Sequence, residues 1–106
     1  MQDFNYYEWY KKIKEVSNPD KALENLKKYL PNAKLYPSDK PKYKYKVLNP
    51  NNNKFIYFGD MNYEDYLKHG SEIRKINYLK RASNINGNWK KDPYSKNNLA
   101  IHVLWQ

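Results

Sequence analysis

The residues of this chain best suited to chemistry are cations interleaved with aromatics in its second half. Arg74, Tyr78 and Arg81 recur at intervals of four and three. On a helix advancing about 100° per residue they gather within a sector of about 60°. Two guanidinium groups beside a phenol ring make a grip for phosphates with a stacking surface between them. Trp89 and Lys90 repeat the pairing in a loop, a flat ring for a base and an ammonium for a phosphate. Lys42, Lys44 and Lys46 alternate with Tyr43, Tyr45 and Val47, so a strand puts the lysines on one face. Such a row can track a nucleic-acid backbone. Arg74, Tyr78, Arg81, Lys44, Lys46, Trp89 and Lys90 are the candidate nucleic-acid-binding set.

Each of these has a purely structural alternative. Tyr78 can pack against neighbouring elements while the arginines pair with Asp60, Glu64 or Asp65. Lysines along a strand also protect a sheet edge from aggregation. Trp89 can close a small core. Other chemistries lack their parts. His69 and His102 are the only histidines and there is no cysteine, so zinc would want two further ligands. No Ser–His–Asp order or glycine-rich phosphate loop is present. Glu64 and Asp65 are adjacent, and adjacent side chains on a helix diverge rather than form a dyad. His69, just before Gly70, fits a helix end. No catalytic residue, metal or cofactor is expected, and the chain does not read as an enzyme.

Two segments must position this set. Over residues 1–39, Asp3 is placed to cap a helix to about Val16 with Tyr6, Trp9, Tyr10, Ile13 and Val16 on one stripe. Asn18-Pro19 opens a second helix to about Leu30, burying Ala22, Leu23, Leu26, Tyr29 and Leu30. Together they form a helical hairpin, followed by a linker punctuated by Pro31, Pro37 and Pro41. From residue 40 the period changes to two. A strand from Pro41, an asparagine-rich turn at residues 49–53 and a strand over residues 54–58 make a β-hairpin. About three short helices must cover it, since a lone hairpin is marginal. They are expected over residues 63–68 ending at Gly70, over residues 72–83 capped by Ser71 with Ile73, Ile76 and Leu79 as its apolar stripe, and after Ser95. The fold class is α+β, with residues 1–39 as a helical extension and linker and residues 40–106 as a basic α+β domain.

Totals set the bounds. In 106 residues, 12 Tyr, 3 Trp and 3 Phe supply the large side chains that a small core leans on. No apolar run is long enough to span a bilayer, and the N-terminus lacks a signal-peptide pattern, which reads as a soluble, non-secreted protein. The net charge of +9 suggests a polyanionic partner. Lysine, however, outnumbers arginine 18 to 2, as A/T-rich coding alone would give. The distribution says more: residues 1–39 carry +1 and residues 40–106 carry +8. An anionic partner, DNA or RNA, belongs to the second half.

From Tyr43 to Trp105 the chain resembles a family of small basic proteins encoded by large double-stranded DNA viruses of eukaryotes, a family itself without an assigned function. The residues that carry the likeness are Tyr57-Phe58-Gly59, Tyr63, Asp65, Tyr66, His69, Arg74, Lys75, Tyr78, Arg81, Asn88, Trp89, Leu104 and Trp105. There are departures. Gly70-Ser71 stands where the family usually has Lys-Asp, Ala82 where a second histidine is common, and Leu99–Val103 where an aromatic- and arginine-rich stretch leads to the last tryptophan. The resemblance implies a viral accessory or virion-associated protein, located in the virion or the host-cell cytoplasm and virus factory. Two functions are carried forward. One is non-enzymatic contact with nucleic acid through the basic half. The other is a protein–protein module, such as a minor capsid, scaffold or adaptor component, with Tyr- and Trp-rich surfaces as its interface.

Overall fold

Local signals start the first two helices. In the computed structural model, which describes residues 4–106, Asn5 accepts a hydrogen bond from the Glu8 amide and begins α1, Tyr6–Val16. Asp3, the cap expected from sequence, lies outside the described residues. Asn18 accepts from the Lys21 amide, and proline at the first position opens α2, Pro19–Tyr29. α1 buries Trp9 and Ile13, and α2 buries Ala22 and Leu26. Leu23, expected inside, is exposed.

The hairpin strands are β2, Tyr43–Asn49, and β3, Lys54–Asp60, antiparallel with Tyr45 opposite Phe58 and Val47 opposite Ile56. Asn53 closes the turn at φ 59°, a left-handed conformation that asparagine tolerates. A third strand was not expected. Leu35–Pro37, read from sequence as linker, forms β1 and pairs antiparallel with β2. The order β1-β2-β3 makes β2 the central strand, so edge protection does not account for its lysines.

α3 (Tyr66–His69) ends on Gly70 at φ 63°, and α4 (Glu72–Ser83) starts at the Ser71 cap. A 3₁₀ turn at Trp89–Lys91 leads to α5 (Lys96–Leu99), capped by Ser95 and continuing as a π-helix over Ala100–Leu104. Trp9, Ile13, Ala22 and Leu26 of the helical hairpin share one core with Tyr45, Val47 and Phe58 of the sheet, Leu67, and Leu99, Val103 and Leu104 of the last helix. No helix among the described residues is long and apolar enough to cross a membrane.

Candidate functional site

Lys44 departs furthest from its expected place. The alternation along β2 puts it on a solvent face, yet it is 2% exposed. Its ammonium donates to Asp65 Oδ2 at 3.2 Å, to the Val16 carbonyl at 3.2 Å and to the Tyr63 carbonyl at 2.7 Å. Those acceptors come from the end of α1 and the approach to α3, so one side chain ties three parts of the chain together. The space it enters is opened by Gly59, whose φ is 81°. A Cβ there would sit 3.1 Å from both Cβ and Cδ of Lys44 and 2.9 Å from Leu104 Cδ1. Tyr57-Phe58-Gly59 and Asp65, motif residues in the sequence, thus contain the gap and the counter-ion for a buried lysine. Burial pushes the Asp65 carboxyl up and the Lys44 ammonium down, each against the pull of its partner's charge. Lys44 reaches the same groove as Arg74 and Arg81, with its ammonium taken up by these three acceptors.

α4 is also turned from its expected phase. Ile73 is 74% exposed and Ile76 51% exposed, so these two residues of the apolar stripe face outward while Leu79 is half-buried. Ala82 is the buried residue of this helix, and Tyr78 lies flat on Trp105, ring centroids 4.1 Å apart and planes 7° from parallel. A stacked aromatic pair contributes beyond the area it buries, and this pair together with Ala82 sets the rotation of the helix. Tyr78 consequently points inward, as its packing alternative had it, rather than outward as the phosphate grip required.

The inward turn brings the candidates together. A groove of about 1220 Å³ opens between α4, the Tyr43 and Asp60 ends of the hairpin, and the segment from Trp89 to α5. Arg74, Tyr78, Arg81 and Trp89 all line it. Lys46 and Lys90 do not. Lys46 pairs with Asp39 at 3.3 Å and lies 4.3 Å over the Phe55 ring, while Lys90 lies 5.6 Å from the Trp89 ring centroid. Arg74 reaches Glu64 at 3.6 Å, one of the pairings foreseen. Arg81 makes no ion pair among the described residues. Trp89 is half-buried, donates its Nε1 to the Ile85 carbonyl at 2.7 Å and stands outside the core cluster.

Sequence reading missed several groove residues. Asn77 and Lys80 share α4 with the arginines, and Asn77 lies three residues after Arg74 and four before Arg81, so helical spacing could have found it. Lys96 and Tyr43 are 53 positions apart, and only the fold joins them. Lys96 donates to the Tyr43 hydroxyl at 2.8 Å and sits 4.4 Å over its ring, which lowers the pKa of that phenol. Asp60 at the end of β3 and Glu64 ahead of α3, the latter paired with Arg74, supply negative charge. The groove thus combines aromatic rings, three exposed cations on α4 at Arg74, Lys80 and Arg81, the first of them paired with Glu64, and a further cation on α5 at Lys96.

His69 caps the end of α3. Its Nδ1 accepts from the Ser71 amide at 3.0 Å, and burial, with Arg74 nearby, pushes its pKa down. Among the described residues no group of three or more His, Cys, Asp or Glu is placed to hold a metal ion.

Against known proteins, residues 33–82 match a family of unknown function (DUF5754). That stretch holds the three-stranded sheet, the Lys44–Asp65 pair and α4 as far as Ala82. It begins upstream of the resemblance noted in the sequence and stops before Trp89 and Trp105, so the match covers the hairpin and α4 sides of the groove and not the side from Trp89 to Trp105. No curated protein and no solved structure matches the chain.

Proposed function

We propose that this groove binds nucleic acid, and that the protein is a non-enzymatic accessory or virion-associated component of a large DNA virus, acting in the virion or the host-cell cytoplasm. One observation carries the binding reading. Arg74, Tyr78, Arg81 and Trp89, chosen for their chemistry alone, line one groove to which Lys80 and Lys96 add further cations. Phosphate neutralisation by such cations makes binding salt-dependent, whereas stacking on the rings does not. The viral setting rests on the sequence resemblance.

The test is fluorescence anisotropy of labelled DNA and RNA, single- and double-stranded, at low and at about 150 mM salt. Arg81→Ala combined with Lys80→Ala should lower the slope of log K against log salt by roughly 1.5 to 2. Arg74→Ala should matter less, because Glu64 already holds that guanidinium. A folded Lys80/Arg81 double variant that binds as the parent does removes the groove from the proposal.

A second reading has its own observation. Ile73 and Ile76, one turn apart on α4 and outside the lining of the groove, are each more than half exposed. Clustered exposed apolar side chains mark protein interfaces, as a minor capsid, scaffold or adaptor component would need. Binding to that surface would be insensitive to salt.

A further inference from the structure

We infer that the nucleic acid this groove takes is single-stranded, with unpaired bases stacked against its aromatic walls and Trp89 as the principal platform. The inference rests on the nucleic-acid reading above and narrows it.

Shape is the first argument. Duplex DNA is read by a convex protein element, a helix or ribbon, entering a groove about 12 Å wide. Here the relation is reversed, because the protein is the concave partner. The groove, about 1220 Å³, exceeds the roughly 300–1,000 Å³ of a site for one drug-sized ligand. It has room for a few nucleotides of an unpaired strand.

The walls give the second argument. Trp89 has spent its one polar atom on the Ile85 carbonyl, so its indole offers the groove ring surface rather than a hydrogen bond. The parallel Tyr78–Trp105 pair lines the same space. Ring faces recognise base faces, and a duplex keeps its base faces hidden inside its own stack. Paired bases would leave these aromatics with nothing to stack on.

Charge sets the orientation. Lys80 and Arg81 on α4 attract phosphates and Asp60 at the end of the hairpin repels them, while Glu64 is paired with Arg74 and Lys96 is held over the Tyr43 ring at the hairpin end. The sugar–phosphate backbone therefore follows Lys80 and Arg81, and the bases turn inward.

The experiment uses the full chain and fluorescein-labelled probes of about 12 nucleotides, oligo-dT, oligo-rU and a DNA duplex, a length within the span of single-strand binding sites. At about 150 mM salt the single strands should bind at least roughly tenfold more tightly than the duplex, with quenching of tryptophan emission. Trp89→Leu should cost the single strands about tenfold and leave duplex affinity unchanged, while Trp89→Phe, which keeps a ring, should retain most of the affinity. Far-UV circular dichroism confirms that each variant is folded. Equal binding of duplex and single strand, with Trp89→Leu silent and Lys80→Ala/Arg81→Ala weakened, overturns the single-strand inference and leaves the nucleic-acid reading standing. No binding of any probe at low salt removes both. The ratio of dT to rU affinity separates DNA from RNA as the source of the strand.

Discussion

Replacing Lys44 tests the account of the core most directly. The Lys44–Asp65 pair is 3.2 Å long, with side chains 2% and 1% exposed. At an effective dielectric constant of about 20 its gross attraction is about 5 kcal/mol. Removing two ions from water costs several kcal/mol each, so the pair is close to neutral or unfavourable in net terms. The opposed shifts of both groups, each led by burial, say the same. Breaking the pair is another matter. Lys44→Met strands a carboxylate whose Oδ1 already has no partner, and Asp65→Val strands an ammonium, so each single change should cost about 3–5 kcal/mol. The double variant should lie within about 1.5 kcal/mol of the parent. Of the carbonyls it deprives, Val16 O still accepts from the Asp65 amide at 3.0 Å. Urea titration by tryptophan fluorescence, checked by far-UV circular dichroism, yields the cycle, and a coupling of about 4 kcal/mol or more is expected.

The same pair has a pH signature. Asp65, raised above its ordinary 3.8, holds its proton more tightly in the folded chain, so its contribution to stability falls as pH climbs through the folded value. Lys44, lowered from 10.5, sheds its proton earlier when folded, so stability recovers as pH climbs from its folded value towards 10.5. The difference between parent and Lys44→Met/Asp65→Val should therefore be least favourable to the parent in the interval between, where both groups are charged. Additive single costs, or a Lys44→Met cost under about 1 kcal/mol, would refute the reasoning by showing that this ammonium keeps its water.

Three further outcomes follow from the same contacts. Gly59→Ala should destabilise by about 2–5 kcal/mol in urea titrations, because a positive φ and an overpacked contact add; Gly70→Ala, with φ 63° and nothing within 4 Å, should cost only the backbone part, about 1–2 kcal/mol. Ile73→Lys should change stability by no more than about 0.5 kcal/mol, whereas Ile13→Ala, from the core, should cost about 2–5 kcal/mol; a large Ile73 effect in the isolated protein would mean that α4 is turned the other way. Burial lowers the pKa of His69 and of His102, which stacks on Tyr29 at 4.2 Å, so stability should decline as pH falls from 6.5 through the folded values, and His102→Gln should flatten that part of a pH series of unfolding midpoints.

What could be read from the sequence divides along a physical line between local and distant causes. The two N-terminal helices were legible because Asn18-Pro19 and the apolar spacing act within one or two turns. The β2–β3 hairpin was legible because asparagines in the turn and alternation in the strands are likewise local. β1 was not, because three residues ending in Pro37 form a strand only when β2 is beside them. Lys44 was misplaced for the same kind of reason. Alternation says which residues share a face, but a lysine can be buried where a carboxylate and free carbonyls meet it, and Asp65 lies 21 positions away.

α4 shows the limit most sharply. Spacing placed Arg74, Tyr78 and Arg81 in one sector, and they do line one groove. Spacing also separated that sector from the stripe of Ile73 and Ile76. Both statements concern angles between residues on one helix, and neither gives the rotation of that helix against the rest of the molecule. That rotation is settled by Trp105, 27 positions beyond Tyr78, which offers a ring at 4.1 Å and holds the tyrosine inward. The isoleucines, left outside, become surface, and the arginines, carried round with the tyrosine, become the wall of a groove. A periodic pattern fixes relative phase, and absolute phase belongs to the partner across the interface.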